Sequence, residues 1–269
     1  MNSVSHVQDV GRVAWPGEDD LEALFRRHYG DPADHGWRVR LRHRFRYFSP
    51  DQWYEAIVDR LVTPGCRWVD VGGGTSLFVE NEQLSRELAD RCAFLVGVDP
   101  SDNICANQLV HQRVRSTIEQ FQPQETFDLA TFRMVAEHVE QPRDVVQSLA
   151  RLIRPGGHVV IYTPNRWAPA AVAASLVPGK CHSGFARVLD ARRKEDVFPT
   201  FYRMNTRKRL REMFESGGFA EVGFAYLDNC RTFQRLRLGC LAELCAWRLF
   251  RAAGATYPEN DLLGVYRKR

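Results

Sequence analysis

Asp70, Gly72, Gly73, Gly74 and Asp99 are the residues whose types and spacing most clearly imply chemistry. The apolar run Cys-Arg-Trp-Val-Asp-Val, residues 66–71, reads as a buried strand, and the three glycines follow it directly. Glycine lacks a Cβ and accepts unusual backbone angles, so a ligand can approach the main chain closely there. A second apolar run, residues 93–98, ends in Asp99. Consecutive parallel strands of a doubly wound α/β sheet deliver their C-terminal ends to one crevice, where an acid ending the second strand meets ribose hydroxyls. The pair of signals points to an adenosine-containing cofactor.

Absent features narrow the choice. A dinucleotide fingerprint requires Gly-x-Gly-x-x-Gly, but Leu77 occupies the third glycine position, which removes the close helix packing a pyrophosphate site uses. No Gly-Lys-Ser/Thr follows, so a phosphate-binding P-loop is excluded. An acid at the strand end, Asp70, suits a ligand with a positively charged amino-acid portion, as in S-adenosylmethionine. Asp70–Thr75, Val98-Asp99-Pro100-Ser101, Phe127–Ala130 with Glu137-His138-Val139, and Leu152–Gly157 follow one another in order. In order and spacing they resemble the successive motifs of class I S-adenosylmethionine-dependent methyltransferases, over roughly residues 63–165. Ser76 departs from the family's Gly-x-Gly-x-Gly pattern.

The resemblance implies a Rossmann-like, doubly wound, seven-stranded α/β sheet with an antiparallel last strand. It further implies that Thr117 and Ile118, just after strand three, border the adenine, and that a helix before strand one covers the cofactor, with Tyr47 and Tyr54 as cleft candidates. Arg133 to His138 stand at the C-terminal end of strand four, where ligands bind in open sheets. Asp70, Gly72, Gly73, Gly74, Asp99, Pro100, Thr117, Ile118, Arg133 and Tyr47 are therefore the expected cofactor residues. If the acceptor is a hydroxyl or amine, a general base must take its proton; His138 and His182 are the candidates, and no metal is expected.

Local signals place the supporting elements. Ser49 and Pro50 open a helix carrying Trp53, Tyr54, Ile57, Val58 and Leu61. Arginines 38, 40, 42, 44 and 46 alternate with apolar and aromatic residues. That alternation suits an extended segment with one basic face, although a helix is compatible too, and a solvated edge is the reading favoured over an anion clamp. A helix is expected over 102–109 and strand three over 113–118. Asn205-Thr206 precede a helix over 207–216, stopped by Gly217-Gly218. Strands six and seven are expected over 221–227 and 262–266. Residues 1–62 form an N-terminal extension, residues 63–269 the methyltransferase domain, and residues 166–204 a cap inserted after strand five.

The chain has 269 residues, 44% hydrophobic and 26% charged, with net charge +4, ordinary for a soluble globular protein. Only four of its 37 basic residues are lysine, a bias better ascribed to a GC-rich coding sequence than to a nucleic-acid site. The seven cysteines show neither Cys-x-x-Cys nor zinc spacing and fit reduced thiols in a cytoplasm. Residues 231–253 combine helically spaced apolar residues with arginines, a pattern compatible with peripheral membrane contact or with packing on the domain. The leading expectation is transfer of a methyl group to a small-molecule acceptor, oxygen foremost, with nitrogen and carbon left open. The alternatives are an RNA methyltransferase and a non-catalytic binding module of the same fold, with an NAD-dependent oxidoreductase last.

Overall fold

A computed structural model describes residues 13–169, 171–172 and 198–269. Seven strands form one sheet in the order β3-β2-β1-β4-β5-β7-β6. They are β1 (Arg67–Val71), β2 (Phe94–Asp99), β3 (Gln112–Arg115), β4 (Phe127–Arg133), β5 (Ile153–Pro164), β6 (Phe219–Asp228) and β7 (Asn260–Lys268). The first five pair in parallel, and β7 runs antiparallel between β5 and β6, as the resemblance implied.

Successive side chains of a strand point to opposite faces, and the sheet is covered on both. Trp68, Leu95, Leu129 and Val160 pack with α1 (Glu18–Tyr29), α3 (Pro50–Leu61) and α4 (Glu82–Arg91). Their sequence neighbours Val69, Val96, Ala130 and Val159 pack on the other face with α5 (Pro142–Leu152) and α6 (Arg207–Ser216). Because α1 and α3 share one apolar cluster with β1, these two N-terminal helices are built into the sheet's core.

Several helix ends follow their local signals. Ser49 and Gln52 form a reciprocal capping box before Pro50, and Thr206 accepts from the Arg209 amide at 3.3 Å. Three expectations are corrected. Residues Trp37–Phe45 form a helix, α2, because Trp37, Leu41 and Phe45, four residues apart, pack together against Tyr47 and Trp247. Over 102–109 only a 3-10 turn, Asp102–Ala106, forms, since Asn107 is drawn to the Gly73 carbonyl at 3.0 Å. Strand three stops at Arg115, and Thr117 begins a turn that accepts from the Gln120 and Phe121 amides. Strands β6 and β7 extend beyond the expected bounds because they pair with each other along their length.

Candidate active site

The glycine turn is held from three sides. The Gly72 amide donates to Val98 O at 2.8 Å, with Gly72 at φ +71° and Gly74 at φ +39°. A Cβ on Gly72 would stand 2.2 Å from Val135 Cγ2, whereas one on Gly74 would meet nothing nearer than Gly72 O at 3.9 Å. Gly72 is thus required by packing, while Gly74 leaves open space. Asp70 lies beneath the turn, accepting from Thr131 Oγ1 at 2.6 Å, and Trp68 Nε1 donates to the same hydroxyl at 2.7 Å. Burial pushes the Asp70 carboxyl up to about 7, against the opposing effect of Thr131. Asp99 accepts from the Gly74 amide at 3.0 Å and the Ser101 amide at 2.7 Å, which fixes its carboxylate over the turn, with Pro100 following at the surface.

A cleft of about 690 Å³ opens beside Gly72. Its floor is Arg133 and Met134 at the end of β4, and α2 and α3 contribute Arg38, Arg42, Asp51 and Glu55. The far wall is Cys230, Arg231 and two residues of α7 (Arg237–Ala252). Asp51 joins floor to wall: it accepts from Arg133 Nη2 at 2.6 Å and Arg231 Nη2 at 2.8 Å, and Arg231 also donates to Tyr162 Oη at 3.0 Å. Burial alone would raise the Asp51 carboxyl, but the two guanidiniums hold it below the usual range. A second cleft of about 700 Å³, beside Asn165 and Arg207, does not include the glycine turn.

Arg42 donates through Nη2 to Gln52 Oε1 at 3.0 Å, yet its Nε is buried without a partner. Arg38, one turn earlier on the same helix, lines the same wall. Glu55 accepts from Asn81 Nδ2 at 2.9 Å, and burial pushes its carboxyl up to about 8. Unpartnered donors that suit a carboxylate and an acid that suits an ammonium line the cleft; Asp70, Gly73, Gly74, Asp99 and Pro100 are outside its lining, Asp99 being joined to the turn through the Gly74 amide.

The expected site residues are thereby sorted. Gly72, Arg133 and Tyr47 line the cleft, and Tyr47 does so as a buried strut whose hydroxyl donates to Asp228 O at 3.1 Å and accepts from the Cys230 amide at 2.8 Å. Thr117 and Ile118 follow β3, whose Arg115 pairs with Asp99; the Ile118 side chain enters the core, so only its backbone can face a ligand, whereas Thr117 is half-buried. Tyr54 is buried and stacks on Tyr162 at 5.4 Å. His138 is outside the cleft lining; its Nδ1 lies 3.0 Å from the Pro199 carbonyl. His182 and most of the expected cap lie outside the described residues. Asp51, Glu55 and Arg231 escaped the sequence reading, although Asp51 stands in the first turn behind the Ser49 cap.

A family model described as a methyltransferase domain matches residues 40–222. The chain belongs to the methyltransferase-domain family. It is 33% identical over 123 residues to the ubiquinone biosynthesis O-methyltransferase of Cronobacter sakazakii, a match covering 42% of this chain and 50% of that protein. The protein of the same description from Xanthomonas oryzae pv. oryzae is 34% identical over 123 residues, covering 44% and 51%. The chain thus spans about half the length of the curated relatives it matches. Among solved structures, an S-adenosylmethionine-dependent methyltransferase from Mesorhizobium loti superposes with TM-score 0.52 at 20% identity, over 81% of this chain and 98% of that one. The fold is that of the S-adenosylmethionine-dependent methyltransferases, and no helix among the described residues is long and apolar enough to cross a membrane.

Proposed function

We propose that this methyltransferase-family protein moves a methyl group from S-adenosylmethionine to an oxygen of a small-molecule acceptor. The observation that carries the reading is the cleft at the C-terminal ends of β1 and β4, with the glycine turn on one side and arginines on the other. S-adenosylmethionine brings a methyl group already activated on a sulfonium, so the protein's task is alignment rather than covalent or metal catalysis. Arg38 and Arg42 would hold its carboxylate, Glu55 its ammonium, and Asp99 its ribose hydroxyls.

The oxygen acceptor is supported by the two O-methyltransferases matched over half their length. The acceptor's proton needs a base. Because Nδ1 of His138 faces a carbonyl, which can only accept, the neutral ring carries its hydrogen there, and Nε2, 4.0 Å from Glu137 Oε1, is the nitrogen with a lone pair for a proton. His138 is the base this reading assigns, delivered when the acceptor bridges cleft and rim. An RNA acceptor is disfavoured by the helical form of α2, which divides its arginines: Arg38 and Arg42 face the cleft, and Arg46 pairs with Glu18 at 3.5 Å. Of the five arginines between 38 and 46, Arg40 and Arg44 alone remain for an outside polyanion.

Calorimetric titration with S-adenosylhomocysteine, with NADH as control, tests the cofactor site. Saturable binding of the former alone is expected. Asp99→Ala should weaken it by about ten- to a hundredfold, the scale of losing hydrogen bonds to a charged acceptor; unchanged affinity would remove Asp99 from the pocket.

Glu55 adds a pH signature. Its folded pKa of about 8 exceeds the carboxyl's ordinary value of 4.5, so its contribution to stability is complete below the latter and lost as pH rises towards about 8. An ammonium bound beside it favours the ionised form. S-adenosylhomocysteine affinity should therefore rise with pH up to about 8, with proton release near neutrality read from the buffer dependence of the binding heat. Glu55→Gln should remove the proton release and stabilise the free protein in alkaline solution; persistent release in that variant would place the titration elsewhere.

A further inference from the structure

Helix α7 is apolar on both of its faces, and the cleft explains only one. Cys240, Leu244 and Trp247 point inward and are buried, the first two lining the cleft. On the opposite side Leu238, Leu241, Cys245 and Leu249 recur three or four residues apart and form one exposed stripe. Leu238 is 81% exposed and Leu249 71%, and the stripe continues into the preceding turn through Leu236 at 66% and Phe233 at 52%. Isolated exposed leucines are ordinary, but a contiguous apolar patch marks an interaction surface.

The charge around this stripe says what it fits. Residues 231–252 contain a single acid, Glu243, and it is buried, accepting from the Thr232 and Phe233 amides at 3.1 Å each. Arg237 and Arg248, three helical turns apart, stand exposed at one edge of the stripe, and exposed Arg235 precedes the helix. The outward surface is therefore apolar and cationic with no exposed acid of its own. A second copy meeting the same stripe would bring these arginines against each other with no carboxylate on α7 to receive them. A bilayer surface carrying anionic headgroups supplies both an apolar interior for the leucines and negative charge for the guanidiniums.

We propose that the outward face of α7 docks the protein on an anionic lipid surface. Docking there sets the far wall of the cleft against the bilayer, since Cys240 and Leu244 line the cleft on the other side of the same helix. The inference does not depend on methyl transfer, because docking and cofactor binding are read by separate measurements.

The test is cosedimentation of the full chain with vesicles of phosphatidylcholine containing phosphatidylglycerol, against vesicles of phosphatidylcholine alone. Binding is expected to the anionic vesicles and to weaken with added salt. Arg237→Gln with Arg248→Gln should lower the partition coefficient by about fivefold per arginine removed. Leu238→Ser with Leu249→Ser should reduce binding to the level seen with phosphatidylcholine alone. Both pairs are exposed, and an unchanged melting temperature and S-adenosylhomocysteine affinity will show that the fold persists. Absence of binding by the unaltered chain, binding indifferent to both variants, or a dimer in sedimentation equilibrium that the leucine variant dissociates would each overturn the proposal.

Discussion

Gly72→Ala is expected to abolish measurable S-adenosylhomocysteine binding and to destabilise the fold by about 2–4 kcal/mol, the scale of a strained backbone combined with overpacking. Two causes act together. Gly72 sits at φ +71°, where a Cβ meets the following carbonyl oxygen. The added atom would also stand 2.2 Å from Val135 Cγ2, and neither side can retreat freely, because the Gly72 amide is bonded to Val98 O and the Met134 amide to Tyr162 O, each at 2.8 Å. The causes separate in a second variant. Val135→Ala removes the clashing methyl, so Gly72→Ala with Val135→Ala should regain part of the lost stability and retain only the backbone cost, about 1–2 kcal/mol. Urea denaturation gives the stabilities and calorimetry the binding. If the double variant is no more stable than Gly72→Ala alone, contact with Val135 is not what requires glycine; if Gly72→Ala binds normally, the turn is not the cofactor's seat.

That interplay shows what a sequence can and cannot disclose about such a site. The three glycines and the acids at 70 and 99 are local signals, each tied to the end of its own strand, and the strands form where the apolar runs stand. The Ser49 and Thr206 caps are likewise legible because a cap acts within three residues of itself. Val135 as the neighbour of Gly72 is another matter: it depends on β4 pairing beside β1, with Val71 opposite Phe132. Nothing in residues 70–76 announces it.

The arginines of α2 illustrate a subtler failure. Read with a period of two they share one face; wound into a helix they divide, and only Arg38 and Arg42 reach the cleft. The competing signal was present in Trp37, Leu41 and Phe45, spaced by four, but its weight comes from Tyr47 and Trp247, partners supplied by distant chain. Tyr47 was a sound cleft candidate for a reason the sequence could not hold, its hydroxyl bridging Asp228 and Cys230 more than 180 residues away. The Glu-His-Val element is similar. Glu137 is buried and accepts from Thr163 Oγ1 at 2.8 Å, while its carbonyl accepts from the Phe201 amide at 2.7 Å. Beside the His138 base assigned above stands a residue that ties β5 to the chain returning over it.

Asp51→Ala is expected to have the largest effect of any change made outside the glycine turn, because one carboxylate holds three distant parts of the chain. Asp51 belongs to α3, Arg133 to the end of β4, and Arg231 to the segment leading into α7; the two ion pairs measure 2.6 and 2.8 Å. Its removal leaves two guanidiniums side by side with no acid between them. Breaking a fully buried pair costs about 3–5 kcal/mol, and the 41% exposure of the Arg231 side chain lets water screen part of the loss. A destabilisation of about 2–3 kcal/mol is therefore expected at neutral pH, with weaker S-adenosylhomocysteine binding as cleft floor and wall separate. The pH dependence identifies the cause. Burial raises the Asp51 carboxyl, but Arg133 and Arg231 outweigh it and depress the folded pKa, so the stabilisation is complete above the unfolded carboxyl pKa of about 4 and is lost as pH falls through the lower folded value. The gap in stability between the unaltered chain and Asp51→Ala, measured by urea denaturation, should narrow on acidification through that window. A gap of constant size would mean that Asp51 contributes through packing and neutral hydrogen bonds, and that the cleft is not held together by charge.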